Sequence, residues 1–197
     1  MKFIEAKRIA DRIIEVLSPY CEEGKCLIGG SIRREKPEVK DIEVICLPKT
    51  INVSHYNLFT YETIIERSPK FTQSVRVLGE IIKGKPDGKY MQILLPLDIK
   101  LDLFMPDDFD YWRQYVIRTG SAEWVMRYVA GGWRKLGFCG SDQGLRKMSD
   151  CEKIPTPDGK GRWKCINLNG ERPPFFESEK HVFDWLGINY VKPKDRK

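Results

Sequence analysis

Long apolar runs are missing from this chain: none of its 197 residues lies in a stretch approaching the roughly eighteen apolar positions that a membrane-spanning helix needs. The opening residues, MKFIEAKRIADR, interrupt every apolar pair with a charge, so no secretory signal is expected and the expected location is the cytoplasm. Histidine is scarce, with only His55 and His181, and the six cysteines (Cys21, Cys26, Cys46, Cys139, Cys151 and Cys165) include no C-x-x-C pair. That spacing argues against a structural zinc site and fits the reduced thiols of a cytosolic protein. Internal repeats and low-complexity tracts are also absent. What remains is an ordinary globular composition, 41% hydrophobic, 31% charged and 11% aromatic with a mean hydropathy of -0.44. A wholly disordered or fibrous chain is excluded, and the length suffices for a real core.

Charge is unevenly spread. The net value is +6, yet residues 1–110 carry 17 basic and 18 acidic side chains, while residues 111–197 carry 17 basic and 10 acidic. All of the positive excess therefore lies in the second half. The break suggests a near-neutral unit over residues 1–108 and a basic unit over 109–197 suited to meeting phosphates.

Periodicity supplies a coarse map. From Glu5 to Tyr20 the apolar residues recur at three- and four-residue spacing, which predicts an amphipathic helix ended near Pro19. Cys26-Leu27-Ile28 reads as a strand stopped by Gly29-Gly30, and Asp41 to Leu47 as a strand stopped by Pro48. Residues 57–67 are compatible with a second helix, and Val75 to Ile82 fits either a strand or a helix end. Tyr90 to Leu95 and Ile99 to Met105 are two β-like runs, and Pro106-Asp107-Asp108 looks like a boundary. Beyond it, Ala122 to Leu136 predicts a helix stopped by Gly137, the turn signals within 140–176 predict small hairpins, and Ser178 predicts the N-cap of a short helix ended by Gly187.

The chemistry concentrates in three places. Alternation along a strand puts Asp41 and Glu43 on one face and Ile42 and Val44 on the other. Two carboxylates side by side repel unless a cation neutralises them, and Mg²⁺ prefers carboxylate and phosphate oxygens. Gly30-Ser31-Ile32-Arg33-Arg34 is a glycine turn with a hydroxyl and two guanidiniums directly after a strand, the makings of a triphosphate grip. Finally, Lys100-Leu101-Asp102-Leu103-Phe104 places Lys100 and Asp102 on one face, offering a third carboxylate from another strand.

These residues carry a resemblance. The run GGSIRREKPEVKDIEVI resembles the signature of the polymerase-beta-type nucleotidyltransferase superfamily, and KLDLF is similar to its third-carboxylate strand. RTGSAEWVMRYVA and EKHVFDWLGINYVKPKDR resemble the start and end of the C-terminal subdomain of family X DNA polymerases, so the likeness runs from Ile4 to Arg196 with its motifs in order. It implies an α+β fold, with a nucleotidyltransferase palm built on a mixed sheet (residues 1–108) and a small α+β C-terminal subdomain (109–197). It implies template-directed addition of nucleotides to a primer 3′-hydroxyl by two-metal transfer, in short gap filling or repair. The partners would be a nucleoside triphosphate and a DNA primer-template or gapped DNA, with no membrane partner and a monomeric protein.

The resemblance also implies roles. Asp41 and Glu43 would bind two Mg²⁺ ions, with Mn²⁺ able to substitute, and Asp102 would bind the catalytic ion beside the primer 3′-hydroxyl. Ser31 and Arg34 would hold the β- and γ-phosphates with help from the Gly30 backbone. Thr119, Gly120 and Ser121 would form the turn beneath the nucleotide sugar, Trp124 would lie near the base or in the helix core, and Arg118, beside that turn, would bind the nucleotide. Lys100 would lie near the primer terminus, and Arg127, Arg134 and Lys135 would meet DNA, with Arg146, Lys147, Arg162 and Lys164 as further candidates.

Departures from the family pattern are equally specific. Glu43 stands where many members have Asp, Ile117-Arg118 replaces an aromatic pair, and Ala122 and Val125 replace polar residues. Only Met1 to Gly29 precede the phosphate turn, so the likeness is to a minimal viral or phage form and no lyase activity is expected. Rival readings are a nucleotidyltransferase acting on RNA, a protein or a small molecule, and a catalytically silent nucleic-acid-binding module.

Overall fold

The computed structural model describes residues 1–56, 61–157 and 159–197. Within it the chain divides into two compact units, Met1–Thr119 and Gly120–Lys197. No helix among the described residues is long and apolar enough to cross a membrane.

The first unit is a five-stranded mixed sheet with helices on both faces. Its elements are α1 (Phe3–Leu17), β1 (Cys21–Ile28), the single turn α2 (Gly30–Arg33), β2 (Ile42–Pro48), β3 (Thr50–Tyr56), β4 (Tyr61–Arg67), α3 (Pro69–Leu78), β5 (Glu80–Gly84), β6 (Tyr90–Leu95), β7 (Ile99–Phe104) and α4 (Tyr111–Thr119). The strand order is β1-β2-β7-β6-β5, with β2 and β7 parallel and the other pairs antiparallel. The periodicity of α1 turns Ala6, Ala10, Ile13 and Leu17 onto this sheet, and a 3-10 turn carrying Pro19 (Ser18–Tyr20) ends the helix. With Phe71 and Val75 of α3 they bury the alternate residues Ile42, Val44, Met91, Ile93, Leu101 and Leu103.

The intervening residues point to the opposite face. There α4 covers one end through Tyr111 and Tyr115, which pack on Ile45. This packing attaches α4 to the first unit, although the expected boundary at Pro106-Asp107-Asp108 placed it in the second. The other end of that face holds Glu43, Asp102 and Gln92, polar residues at alternate positions among apolar ones.

Two local expectations are corrected. Residues 61–67 form β4, not a helix, because Thr63, Ile64 and Ile65 pair with Ser54, Val53 and Asn52 of β3 in a separate two-stranded sheet. β-branched residues suit that pleated setting. The earlier part of that expected helix, residues 57–60, lies outside the described residues. The ambiguous stretch from Val75 to Ile82 is a helix end followed by a strand, α3 then β5.

The second unit contains α5 (Ala122–Trp124), a π-helical stretch (Val125–Ala130) and α6 (Gly131–Lys135), which together occupy the segment predicted as one helix. Its four-stranded sheet has the order β10-β11-β8-β9, from β8 (Phe138–Ser141), β9 (Gly144–Lys147), β10 (Cys151–Ile154) and β11 (Arg162–Cys165). The terminal helix α7 (Glu179–Leu186) is capped by Ser178, whose Oγ accepts from the His181 amide at 3.1 Å, and closed by Gly187 with φ of 67°.

Candidate active site

Strand register brings the second and third carboxylates together. Glu43 on β2 stands directly opposite Asp102 on β7, flanked by the pairs Ile42–Leu101 and Val44–Leu103 that anchor both strands in the core. Asp41 precedes β2 on the same outward alternation, close enough to raise the charging cost of Glu43. Burial is the first cause of that shift and the Asp41 charge the second; Arg34 and Arg118 oppose it, and Asp102 adds to it, leaving the Glu43 carboxyl pushed up to about 7. Such a shift marks a site whose negative charge is under-compensated by the protein alone.

The glycine turn is fitted against Glu43. The Gly29 amide donates to the Glu43 carbonyl at 2.9 Å, and Gly30 follows with φ of 60°, in the left-handed region. A Cβ at Gly30 would lie 1.8 Å from Glu43 Oε2, so both backbone conformation and space demand glycine here. Past this turn Ser31 Oγ and Arg34 Nε are buried with no hydrogen-bond partner among the described residues. Burying polar groups unpaired is costly, and unsatisfied ones in a native fold call for an explanation such as a ligand.

Arg33 and Arg34 divide their work. Arg33 stacks on the Tyr115 ring at 3.9 Å and donates from Nη1 to Thr119 Oγ1 at 2.7 Å, tying α2 to α4. Arg34 donates from Nη1 to the Thr119 carbonyl at 2.5 Å, while its Nε has no partner among the described residues. Burial lowers the Arg34 pKa while Glu43 and Asp41 oppose the change. Thr119 is fully buried and so acts as the fixed support of both guanidiniums.

A cavity of about 500 Å³ opens beside the carboxylates, lined among others by Glu43, Asp102, Tyr90, Lys83, Lys89 and Arg118. The Arg118 guanidinium lies 3.9 Å over the Phe104 ring, and its Nε is buried and unpartnered. Desolvation lowers its pKa, opposed chiefly by Glu43 and then Asp102. A larger groove of about 970 Å³ between α1 and Leu95–Ile99 is mostly apolar and holds none of these groups.

The site also contains residues that sequence reasoning missed. Tyr90 Oη and Gln92 Nε2 both donate to Asp102 Oδ1, at 2.6 and 2.9 Å. Both alternate with the buried Met91 and Ile93 along β6, so their shared outward face is readable from sequence; that β6 pairs with β7 is not. Lys83 and Lys89 flank the β5–β6 turn and were likewise not singled out.

Other expected site residues are placed as follows. Lys100 is exposed two positions before Asp102. Within the second unit Ser121 Oγ caps α5 by accepting from the Trp124 amide at 3.2 Å, and a Cβ at Gly120 would lie 2.6 Å from the Trp124 ring. Trp124 is only 4% exposed and packs against Tyr128 and Phe183, so of its two expected places it takes the helix core. Arg127, Arg134, Lys135, Arg162 and Lys164 are exposed. Arg146 is not: it is buried, with Nη1 at 3.5 Å from the Leu168 carbonyl, and is corrected from a nucleic-acid candidate to a structural residue. Lys147 is partly buried and pairs with Glu171 at 3.3 Å.

The carboxylate oxygens are hard donors of the kind that suits Mg²⁺. Among the described residues no three His, Cys, Asp or Glu side chains close into a ready cage. Mg²⁺ is commonly held by one or two carboxylates together with substrate phosphates and water, and Ser31 Oγ and Arg34 Nε, both buried without a hydrogen-bond partner among the described residues, are groups able to bind a phosphate. The donor chemistry therefore fits the ion.

No protein-family model matches the chain, and no curated protein matches it in sequence. Its structure is similar to that of Leishmania infantum polymerase beta in a ternary P/T complex, with a TM-score of 0.62 and 20% identity over 100% of this chain and 76% of that one. The chain thus has a polymerase-beta-like fold, a mixed sheet flanked by helices.

Proposed function

We propose that the protein is a template-directed DNA polymerase of the polymerase-beta type, extending a primer 3′-hydroxyl in short gaps or repair patches. The observation that carries this reading is the pairing of Glu43 with Asp102 on adjacent parallel strands beside the glycine turn, whose Ser31 hydroxyl and Arg34 Nε are buried without partners. The polymerase-beta-like fold supports it.

In this scheme Ser31 and Arg34 bind the β- and γ-phosphates of the incoming nucleotide, and Gly30 permits their close approach to the backbone. Arg118 contributes a further positive charge on the nucleotide side of the cavity. Asp41, Glu43 and Asp102 hold the Mg²⁺ ions, which when bound supply charge neutralisation at the reacting phosphate and the primer oxygen. Asp102 orients the 3′-hydroxyl, and Lys100 meets the primer strand. The exposed Arg127, Arg134 and Lys135 contact the phosphodiester backbone.

The test is extension of a gapped primer-template with Mg²⁺ and each deoxynucleoside triphosphate in turn, beside Asp102→Ala. Templated extension that falls at least about a thousandfold in the variant is expected, in line with loss of a metal ligand that stabilises the transition state. Labelling of RNA or protein without primer extension would replace this reading with another transferase. DNA binding with no transfer to any acceptor would sink the enzymatic reading altogether.

A further inference from the structure

We propose that Tyr90 and Gln92 are positioning residues for Asp102: together they fix one carboxylate oxygen so that the other is presented to the reaction. The inference rests on the polymerase reading above and names part of its machinery.

An aspartate on the exposed face of a strand turns freely about its terminal torsion, so either oxygen can face a ligand. Here that freedom is removed. Gln92 is the direct cross-strand partner of Asp102, and Tyr90 is the partner of Phe104, two positions along the same face. Both side chains donate to the same oxygen, Oδ1, and Oδ2 receives no hydrogen bond among the described residues.

The donors are themselves held. The Tyr90 ring lies against Phe104 with centroids 5.2 Å apart, and the Arg118 guanidinium lies over the same Phe104 ring. Gln92 is fixed by its strand register. Groups that orient a ligating carboxylate in this way typically matter about 10- to 100-fold in affinity or rate. Because they act through Asp102, their effect belongs to the chemical step and to cation binding.

The test compares Tyr90→Phe, Gln92→Leu and the double variant with the parent and with Asp102→Ala. Tyr90→Phe keeps the ring and its packing and removes only the donor. Two readouts are taken: kcat and KM for the nucleotide in gap filling, and Mn²⁺ binding to the protein alone, followed by the spectroscopic signal of the free ion. The expected result for the double variant is a fall in kcat of about 10- to 100-fold, nucleotide KM within about threefold, and Mn²⁺ affinity weakened about tenfold. Its unfolding midpoint without metal should match the parent. Unchanged kcat and Mn²⁺ affinity in the double variant would overturn the proposal, and so would a loss matched by an equal loss of folding stability. An active Asp102→Ala protein would instead overturn the polymerase reading itself.

Discussion

Glu43 shows how much a single side chain can report. Its carboxyl is raised from an ordinary value of 4.5 to about 7, first by burial and then by Asp41. In the metal-free fold it therefore retains a proton that the unfolded chain has already released. Stability consequently falls as pH rises from about 4.5 to about 7, and the full penalty is present above that window. Glu43→Gln, neutral at every pH, should make the metal-free protein more stable than the parent by on the order of 3 kcal/mol at pH 8, with the difference vanishing near pH 4. Denaturant unfolding in the presence of a chelator checks this; an unchanged difference between the two pH values would contradict it. Gly30 is the complementary case, where a missing side chain is what admits Glu43 Oε2.

Elements decide which residues meet. The outward alternation of β2 and β7 was legible in Asp41-x-Glu43 and Lys100-x-Asp102, because period-two patterning survives in the sequence. That β2 and β7 are parallel neighbours, separated by four further strands and α3 in chain order, was not legible, since nothing local encodes a nonlocal pairing. The same gap explains why Tyr90 and Gln92 escaped notice. At 61–67 the pattern was misleading, because the pairing with β3 outweighed a weak helical spacing.

The C-terminal tail makes a similar point at this scale. Its Arg196 is fully buried, donating to Glu179 Oε1 of α7 at 2.7 Å and to the Val191 carbonyl at 2.9 Å, among the rings of Trp124, Phe183 and Tyr190. Its own carbonyl accepts from the Ser121 amide at 3.0 Å, at the cap of α5. Arg196→Ala removes the cation paired with the buried Glu179 carboxylate and should cost about 3–5 kcal/mol of the second unit's stability, measured by chemical denaturation. A cost below about 1 kcal/mol would mean the pair is dispensable.

For the molecule as a whole, charge remains the guide to partners. The second unit, Gly120–Lys197, carries 15 basic and 10 acidic side chains, and Arg127, Arg134 and Lys135 are exposed there. DNA binding should therefore weaken steeply with salt, and replacing Arg134 and Lys135 together by alanine should lower the slope of log K against log salt by about 2. Binding titrations at several salt concentrations measure it, and an unaltered slope would remove these two residues from the interface. All six cysteines are buried free thiols, which fits a protein whose stability does not depend on disulfides.

The sequence by itself determined the local chemistry: which strand faces are polar, where glycine must stand, and which half carries positive charge. Periodicity, turn stereochemistry and charge counting act over a few residues, so they are written in the chain directly. Only the tertiary structure decided that Glu43 faces Asp102, that α4 belongs with the first unit, that Arg146 and Arg196 are interior, and that Tyr90 and Gln92 grip Asp102. Those outcomes depend on which distant surfaces bury each other, and that choice is made by the packing of the whole core.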